Sequence, residues 1–353
     1  MWYLDYYDYP TYNWEMPANM EDWETHPVPL SATHGKRIVP GTRMGYLMGK
    51  MVPFEILPNL EPWWKQSHRL VSVSQSDRFA MGLCSCGRVF IDGYFSSHDY
   101  EKKCELVHWK DIVALETGPS TAVGLRKNGR VAVVGWMKRY FTTWRNVTQI
   151  SVGDACVLGL CSDGTVLAVG SDSIEREVSS WEDIIQISAG DEYALGVRRD
   201  GTVTYAAGNS CLRWCSKPAD WTDIVQVSAG PHHAAGLKRD GTVIVAETED
   251  YYECQDDVEC LTVSEWRGVI QVCAGAGVTA ALLENGSVLV ARNEKNGWHE
   301  HEPGGTSIEC YGAVAISLSR HHESDGEVLA LDAQGRAYKC HEGHTYPWDN
   351  WRD

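Results

Sequence analysis

Long apolar runs are missing from this chain. A helix that crosses a bilayer needs about 20 consecutive apolar residues; none is present, so no membrane association is expected. Positive charge is also scarce: 31 Lys and Arg stand against 48 Asp and Glu, a net charge of −17. Nucleic acids and anionic membranes are held through basic surface, so neither is an expected partner. The opening MWYLDYYDYPTYNWE has no basic start and no apolar core, which excludes a secretory signal there. No segment sustains a helical period, which points to an all-β chain. The 12 cysteines follow no regular spacing, and a large cored protein has no need of a disulfide framework. Reduced thiols in a cytoplasmic protein are expected, with no cofactor.

What the chain does have is an internal repeat. The stretch IIQISAGDEYALGVRRDGTVTYAAG (184–208) recurs as IVQVSAGPHHAAGLKRDGTVIVAE (224–247), with weaker copies at 112–135 and 147–170. Its strictest mark is a pair of small residues five positions apart: Gly82/Gly87, Gly124/Gly129, Gly159/Gly164, Gly196/Gly201, Gly236/Gly241, Ala281/Gly286 and Ala330/Gly335. Upstream stand Gly118, Gly153, Gly190, Gly230 and Gly275, each preceded nine positions earlier by Trp109, Trp144, Trp181, Trp221 or Trp266.

Each unit reads as short strands. Alternation in I-V-Q-V-S-A-G fits a half-buried strand, and G-L-K-R-D-G-T-V-I-V reads as two strands around an Asp-Gly turn. The first small residue of each pair is expected to let neighbouring backbones approach, and the Trp to fill the space between adjacent sheets. Stacked units of about 40 residues suggest a β-propeller. The first unit lacks its Trp, with Ser67 in that place, while Trp348 or Trp351 stands where a next Trp would fall. The C-terminal strand is therefore expected to close the ring.

The pattern W-x-D-I-V-Q-V-S-A-G…H-A-A-G-L-K-R-D-G-T-V resembles the regulator of chromosome condensation repeat family over residues from about 65 to 353. The resemblance implies a seven-bladed β-propeller of four-stranded blades. It does not fix a function, since that family includes exchange factors, an inhibitor of β-lactamases and other roles. The acidic surface fits poorly with chromatin binding.

Two regions are expected: an N-terminal extension, 1–60, and a propeller, 61–353. Residues 1–30 are rich in aromatics (Trp2, Tyr3, Tyr6, Tyr7, Trp14 and Trp23 among them) and in acids, with no Lys or Arg. Such a segment suits a binding arm or a strap across the propeller's own surface. Residues 31–60 turn basic and apolar. The repeat is broken at 247–265, ETEDYYECQDDVECLTVSE, with Tyr251 and Tyr252 beside Asp256 and Asp257. That stretch suits the steering of a basic partner or a plain solvated insertion. His232 and His233 are placed at a loop position shared with His321 and His322.

Chemistry that breaks the repeat is confined to histidine-rich segments: His299 and His301, then Cys340, His341, Glu342 and His344. None has the ligand spacing of a zinc site. The turn carboxylates Asp163, Asp200 and Asp240 follow the repeat and read as turn formers. The close pairs Cys84/Cys86 and Cys211/Cys215 also lack metal spacing. The chain is accordingly read as a monomeric, non-enzymatic scaffold for a protein partner with basic surface. Its contacts are assigned to Trp2, Tyr3, Tyr6, Tyr7, Trp14, Trp23, His232, His233, Tyr251, Tyr252, Asp256 and Asp257. Two alternatives are a carbohydrate or small-molecule binder, and a metal-assisted hydrolase or lyase using the histidine-rich C-terminal region.

Overall fold

The alternating, β-branched segments of each repeat fold as antiparallel strands. The computed structural model describes residues 69–76, 79–93, 106, 108–135, 138–154, 156–208, 218–231, 233–247, 263–275, 277–292, 306–318, 327–341 and 344–348. The first sheet contains β1 Leu70–Gln75, β2 Phe79–Cys84 and β3 Val89–Gly93. The second contains β4 Ile112–Thr117, β5 Ala122–Arg126 and β6 Val131–Val134; the third, β7 Val147–Val152, β8 Cys156–Cys161 and β9 Val166–Gly170. The fourth is β10 Ile184–Ala189, β11 Tyr193–Arg198 and β12 Val203–Ala207; the fifth, β13 Ile224–Ala229, β14 His233–Lys238 and β15 Val243–Glu247. The sixth holds β16 Val269–Ala274, β17 Val278–Leu283, β18 Val288–Arg292 and β19 Thr306–Cys310. The seventh holds β20 Ala313–Leu318, β21 Val328–Asp332, β22 Ala337–His341 and β23 His344–Pro347.

The expected four strands per unit are therefore found in the sixth and seventh sheets only, among the described residues. Between the third and fourth sheets the outer position is taken by a short helix, α1 Asp172–Val178. Its Ile174 and Val178 stand four positions apart, hence on one helical face, and both are buried. They pack with Leu158, Val166 and Trp181. The sequence segment is too short for its period to outweigh the strand pattern around it.

Two local features recur in all the sheets. Every first strand pairs with its second through a register shift after its opening residue, as at Ile184/Gln186 and Ile224/Gln226. This bulge adds local twist and turns the third residue out of the simple alternation. In every sheet the turn between the second and third strands ends on a glycine with positive φ, from Gly87 at 82° to Gly335 at 76°, where a Cβ would be strained.

The core is not one mass but a series of layers between neighbouring sheets, and the repeat Trp is its centrepiece. Trp144 is 4% exposed. A Cβ placed on Gly159 would come within 2.5 Å of the Trp144 ring; Gly124 stands in the same relation to Trp109, and Gly236 to Trp221. Burying such a ring contributes roughly 4–6 kcal/mol of transfer free energy as an upper bound. The small residue before the hairpin is thus required by an indole, not by an approaching backbone as the sequence suggested. Backbone approach happens at the upstream glycines: a Cβ on Gly153 would strike the Gly190 carbonyl oxygen, and one on Gly230 would lie 2.7 Å from that of Gly275. Trp348, 2% exposed, lies against Gly82 of the first sheet, the place left vacant by Ser67. Its Nε1 donates to Asp92 Oδ2 at 2.8 Å.

Polar bonds join the same neighbours. In the third to seventh sheets the opening residue donates its N–H to the hairpin glycine of the preceding one, as Ile184 to Gly164, Ile224 to Gly201 and Ala313 to Gly286, each 3.0 Å. Leu70 of the first sheet donates likewise to Gly335 of the seventh, 3.3 Å. Four buried glutamines add an amide bridge to the next sheet. Gln186 accepts from Val227 N–H at 2.8 Å and donates to Val227 O at 3.0 Å. Gln149 does the same with Ile187, Gln226 with Val272, and Gln271 with Ile316. The side-chain amide copies a backbone pairing where no strand is available to supply one.

Candidate interaction face

Strand direction sorts each sheet into two ends. At one end lie the hairpins between second and third strands, together with the Trp-x-Asx segments that lead into the next sheet. This hairpin end is similar from the second to the sixth sheet, where an Asx-Gly pair makes each turn. Asp163 Oδ1 accepts from Thr165 N–H at 3.0 Å and from its hydroxyl at 2.7 Å; Asp200 with Thr202 and Asp240 with Thr242 repeat the arrangement. Those donors hold all three carboxyls below the ordinary aspartate range. The turn role expected for these aspartates is thus realised. Beside them stand Arg126, Lys127, Arg198, Arg199, Lys238 and Arg239, so the hairpin end is mixed in charge despite the acidic whole.

At the opposite end lie the loops between first and second strands, and the third strands leave the sheets here too. The described loop residues include Asp154, exposed, and Asp191 and Glu192, half-exposed. The chain departs from this end after Gly93, Val134, Gly170, Ala207, Glu247 and Arg292, and the following connections are 94–111, 135–146, 171–183, 208–223, 248–268 and 293–305. These connections differ in length and sequence; those that lead to a next sheet leave at this end and rejoin the chain at the hairpin end through the Trp segments.

His233 was expected on this face and is not there. It opens β14, is 2% exposed, and its Nε2 lies 2.8 Å from Thr279 Oγ1 in the sixth sheet. The strand begins one residue earlier than a loop reading allows, so the ring packs between sheets. Tyr193 holds the equivalent place in β11 and donates its hydroxyl to Gly230 O and His233 O, each 2.8 Å. Trp2, Tyr3, Tyr6, Tyr7, Trp14, Trp23, His232, Tyr251, Tyr252, Asp256 and Asp257 lie outside the described residues, as do His299, His301, His321 and His322.

Enzymatic alternatives gain no geometry here. Among the described residues no group of three or more His, Cys, Asp or Glu side chains could hold a metal ion. Cys340 is buried and His344 exposed. A groove of about 420 Å³ runs between α1 and the fourth sheet, lined by Glu177, Trp181, Arg198 and Tyr205 among others. Trp181 is committed to its own sheet junction, and Glu177 accepts from Ala207 N–H at 3.3 Å. What the sequence reading missed are the bridging glutamines. Their signal is present, a Gln recurring at the third place of a strand, but alternation alone does not tell a bridging polar residue from a solvated one.

Neither a protein-family model nor a curated protein sequence matches the chain. Solved structures do match. The ectodomain of the Physcomitrella patens receptor kinase CR4 is similar over 76% of this chain and 73% of its own, at 13% identity and a TM-score of 0.53. Prp20p of Saccharomyces cerevisiae, characterised for binding to Gsp1p and histones, is similar over 84% of this chain and 92% of its own, at 15% identity and a TM-score of 0.51. The fold is a β-propeller repeat fold. Its seven sheets of three or four strands match propeller blades. At these identities the likeness carries architecture and nothing of function.

Proposed function

We propose that the chain is a non-enzymatic protein-interaction scaffold: a closed seven-bladed propeller of the regulator of chromosome condensation repeat type. Closure is supported by Trp348 against Gly82, and by the Leu70–Gly335 bond that repeats the bond between other neighbouring blades. Repeat-type membership is supported by the Trp, Gly and hairpin offsets of the sequence. The observation that carries the scaffold reading is the contrast between a hairpin end that is similar from the second to the sixth sheet and an opposite end where connections of different length leave the blades. A stiff frame lets such segments bind with little ordering cost. Asp154, Asp191 and Glu192 at that end, and the net charge of −17, favour a partner with basic surface. The aromatic arm, with Trp2, Tyr3, Tyr6, Tyr7, Trp14 and Trp23, and the acidic stretch with Tyr251, Tyr252, Asp256 and Asp257 are the proposed contacts. A monomer acting in the cytoplasm, without nucleic acid or membrane, completes the reading.

The test is affinity capture from the native host with three baits. These are the full chain, a chain lacking residues 1–30, and a triple substitution Asp154→Lys, Asp191→Lys and Glu192→Lys. The reading expects a basic protein on the full chain, weakened by the triple substitution and released by added salt. Recovery of the same protein by all three baits at equal yield would refute the proposed face. Recovery of no partner by the full chain would count against the scaffold itself.

A further inference from the structure

The hairpin place that holds Asn128, Asp163, Asp200, Asp240 and Asn285 in the second to sixth blades holds Cys86 in the first and Gln334 in the seventh. In the second to sixth the side-chain oxygen accepts the backbone N–H two residues later, at 2.9–3.1 Å. The first hairpin has the same frame. Gly87 N–H donates to Cys84 O at 2.9 Å, Cys84 N–H donates to Arg88 O at 2.8 Å, and Gly87 has a φ of 82°. Arg88 N–H accordingly donates to the Cys86 sulfur. A turn that elsewhere presents an N–H to a side-chain oxygen, charged or neutral, therefore presents it to a thiol. Cys86 is partly exposed, whereas Cys84, two residues before it, is 1% exposed and hydrogen-bonded to it. Both are thiols in this structure.

We propose that Cys86 and Cys84 form a thiol–disulfide exchange site for low-molecular-weight disulfides of the glutathione type, Cys86 attacking and Cys84 resolving. The Cys86 thiolate bonds to one sulfur of the disulfide, giving a mixed disulfide and releasing the other half as a thiolate. Cys84 then loses its proton to solvent and attacks the Cys86 sulfur. The second half leaves as a thiolate, and the two leaving groups take up protons as their own basicity dictates. The protein dithiol is oxidised by two electrons, and the added disulfide is reduced to two thiols.

The two sulfurs are differently poised for these roles. The thiol of Cys84 donating to it, then Arg88 N–H and the Arg88 charge, bring Cys86 down to about 7 against its own burial. Burial pushes Cys84 well up, so it stays protonated as the donor until Cys86 has reacted. Cys161 is the internal comparison. It holds the place of Cys84 in the third blade, but the residue two positions on is Asp163, and burial raises its pKa.

The test uses the reduced full chain and oxidised glutathione, followed by alkylation, tryptic digestion and mass spectrometry. Cleavage at Arg78 and Arg88 yields FAMGLCSCGR, which contains only these two cysteines. The expected product is this peptide with two hydrogens lost. Cys84→Ser should instead retain a glutathione adduct on Cys86, and Cys86→Ser should leave the peptide unmodified. At pH 7, alkylation of Cys86 should run about fivefold faster than that of Cys161, after the lower nucleophilicity of a less basic thiolate is counted. A wild-type peptide still alkylated at both cysteines would overturn the proposal. So would a glutathione adduct that persists equally in wild type and Cys84→Ser. The site is independent of the scaffold reading, so either can fail alone.

Discussion

Removing one glutamine bridge tests how the blades are held together. Gln226 is fully buried, accepting from Val272 N–H and donating to Val272 O, each at 3.1 Å. Gln226→Ala strips the carboxamide from a junction where no strand can take its place. Each orphaned buried group costs about 1–3 kcal/mol, so two give about 2–6 kcal/mol before any water enters. For a chain of this size 1 kcal/mol lowers Tm by roughly 1.5 °C, which predicts a fall of about 3–9 °C. The loss should be local as well. Hydrogen exchange read by mass spectrometry should accelerate in β16, Val269–Ala274, while β7 in the third blade, two junctions away, stays protected. Nature supplies a milder background: Ala114 and Ala315 hold the equivalent places in the second and seventh blades, so the fold tolerates a missing bridge. A Tm within about 1 °C of wild type, with unchanged exchange in β16, would refute the claim that these amides fasten adjacent blades.

Three further outcomes are expected. Gly153→Ala should be far more damaging than Gly159→Ala, because the new methyl meets the Gly190 backbone in the first case and a Trp144 ring able to shift in the second. Soluble yield and thermal melts of the two variants decide this, and equal behaviour would contradict it. Trp348→Ala should cost about 3–5 kcal/mol and expose the Asp92 carboxylate it bonds, seen as early urea unfolding and faster proteolysis near β1; an unchanged urea midpoint would show that this junction is not structural. The depressed carboxyls of Asp163, Asp200 and Asp240 contribute stability that is present above the unfolded carboxylate value, about pH 3.9, and is lost as pH falls through their folded values. Thr202→Val should raise the Asp200 pKa measured by NMR and leave that of Asp163 unmoved.

Much of the architecture could be read from the chain because the repeat states each local requirement several times over. An Asx-Gly turn demands positive φ, an alternating strand demands one buried face, and a Trp at constant distance from a Gly demands that the two meet. None of these depends on distant chain, so the strands and the hairpins were legible, while the choice between Trp348 and Trp351 as the last repeat Trp was left to the packing on Gly82. The candidate face was less so. His233 looks like a loop residue until the strand register buries it against Thr279. Nothing local distinguishes Gln226 from a solvent-facing glutamine.

The sequence by itself determined the β strands, their hairpin turns and the pairing of Trp with glycine, since each is settled within a few residues by sterics and burial. Only the tertiary structure decided which blade meets which, that a glutamine amide replaces a missing strand between them, and that α1 packs between the third and fourth sheets. Those outcomes depend on what stands across the junction, and a neighbour some 40 residues away leaves no mark on the local pattern.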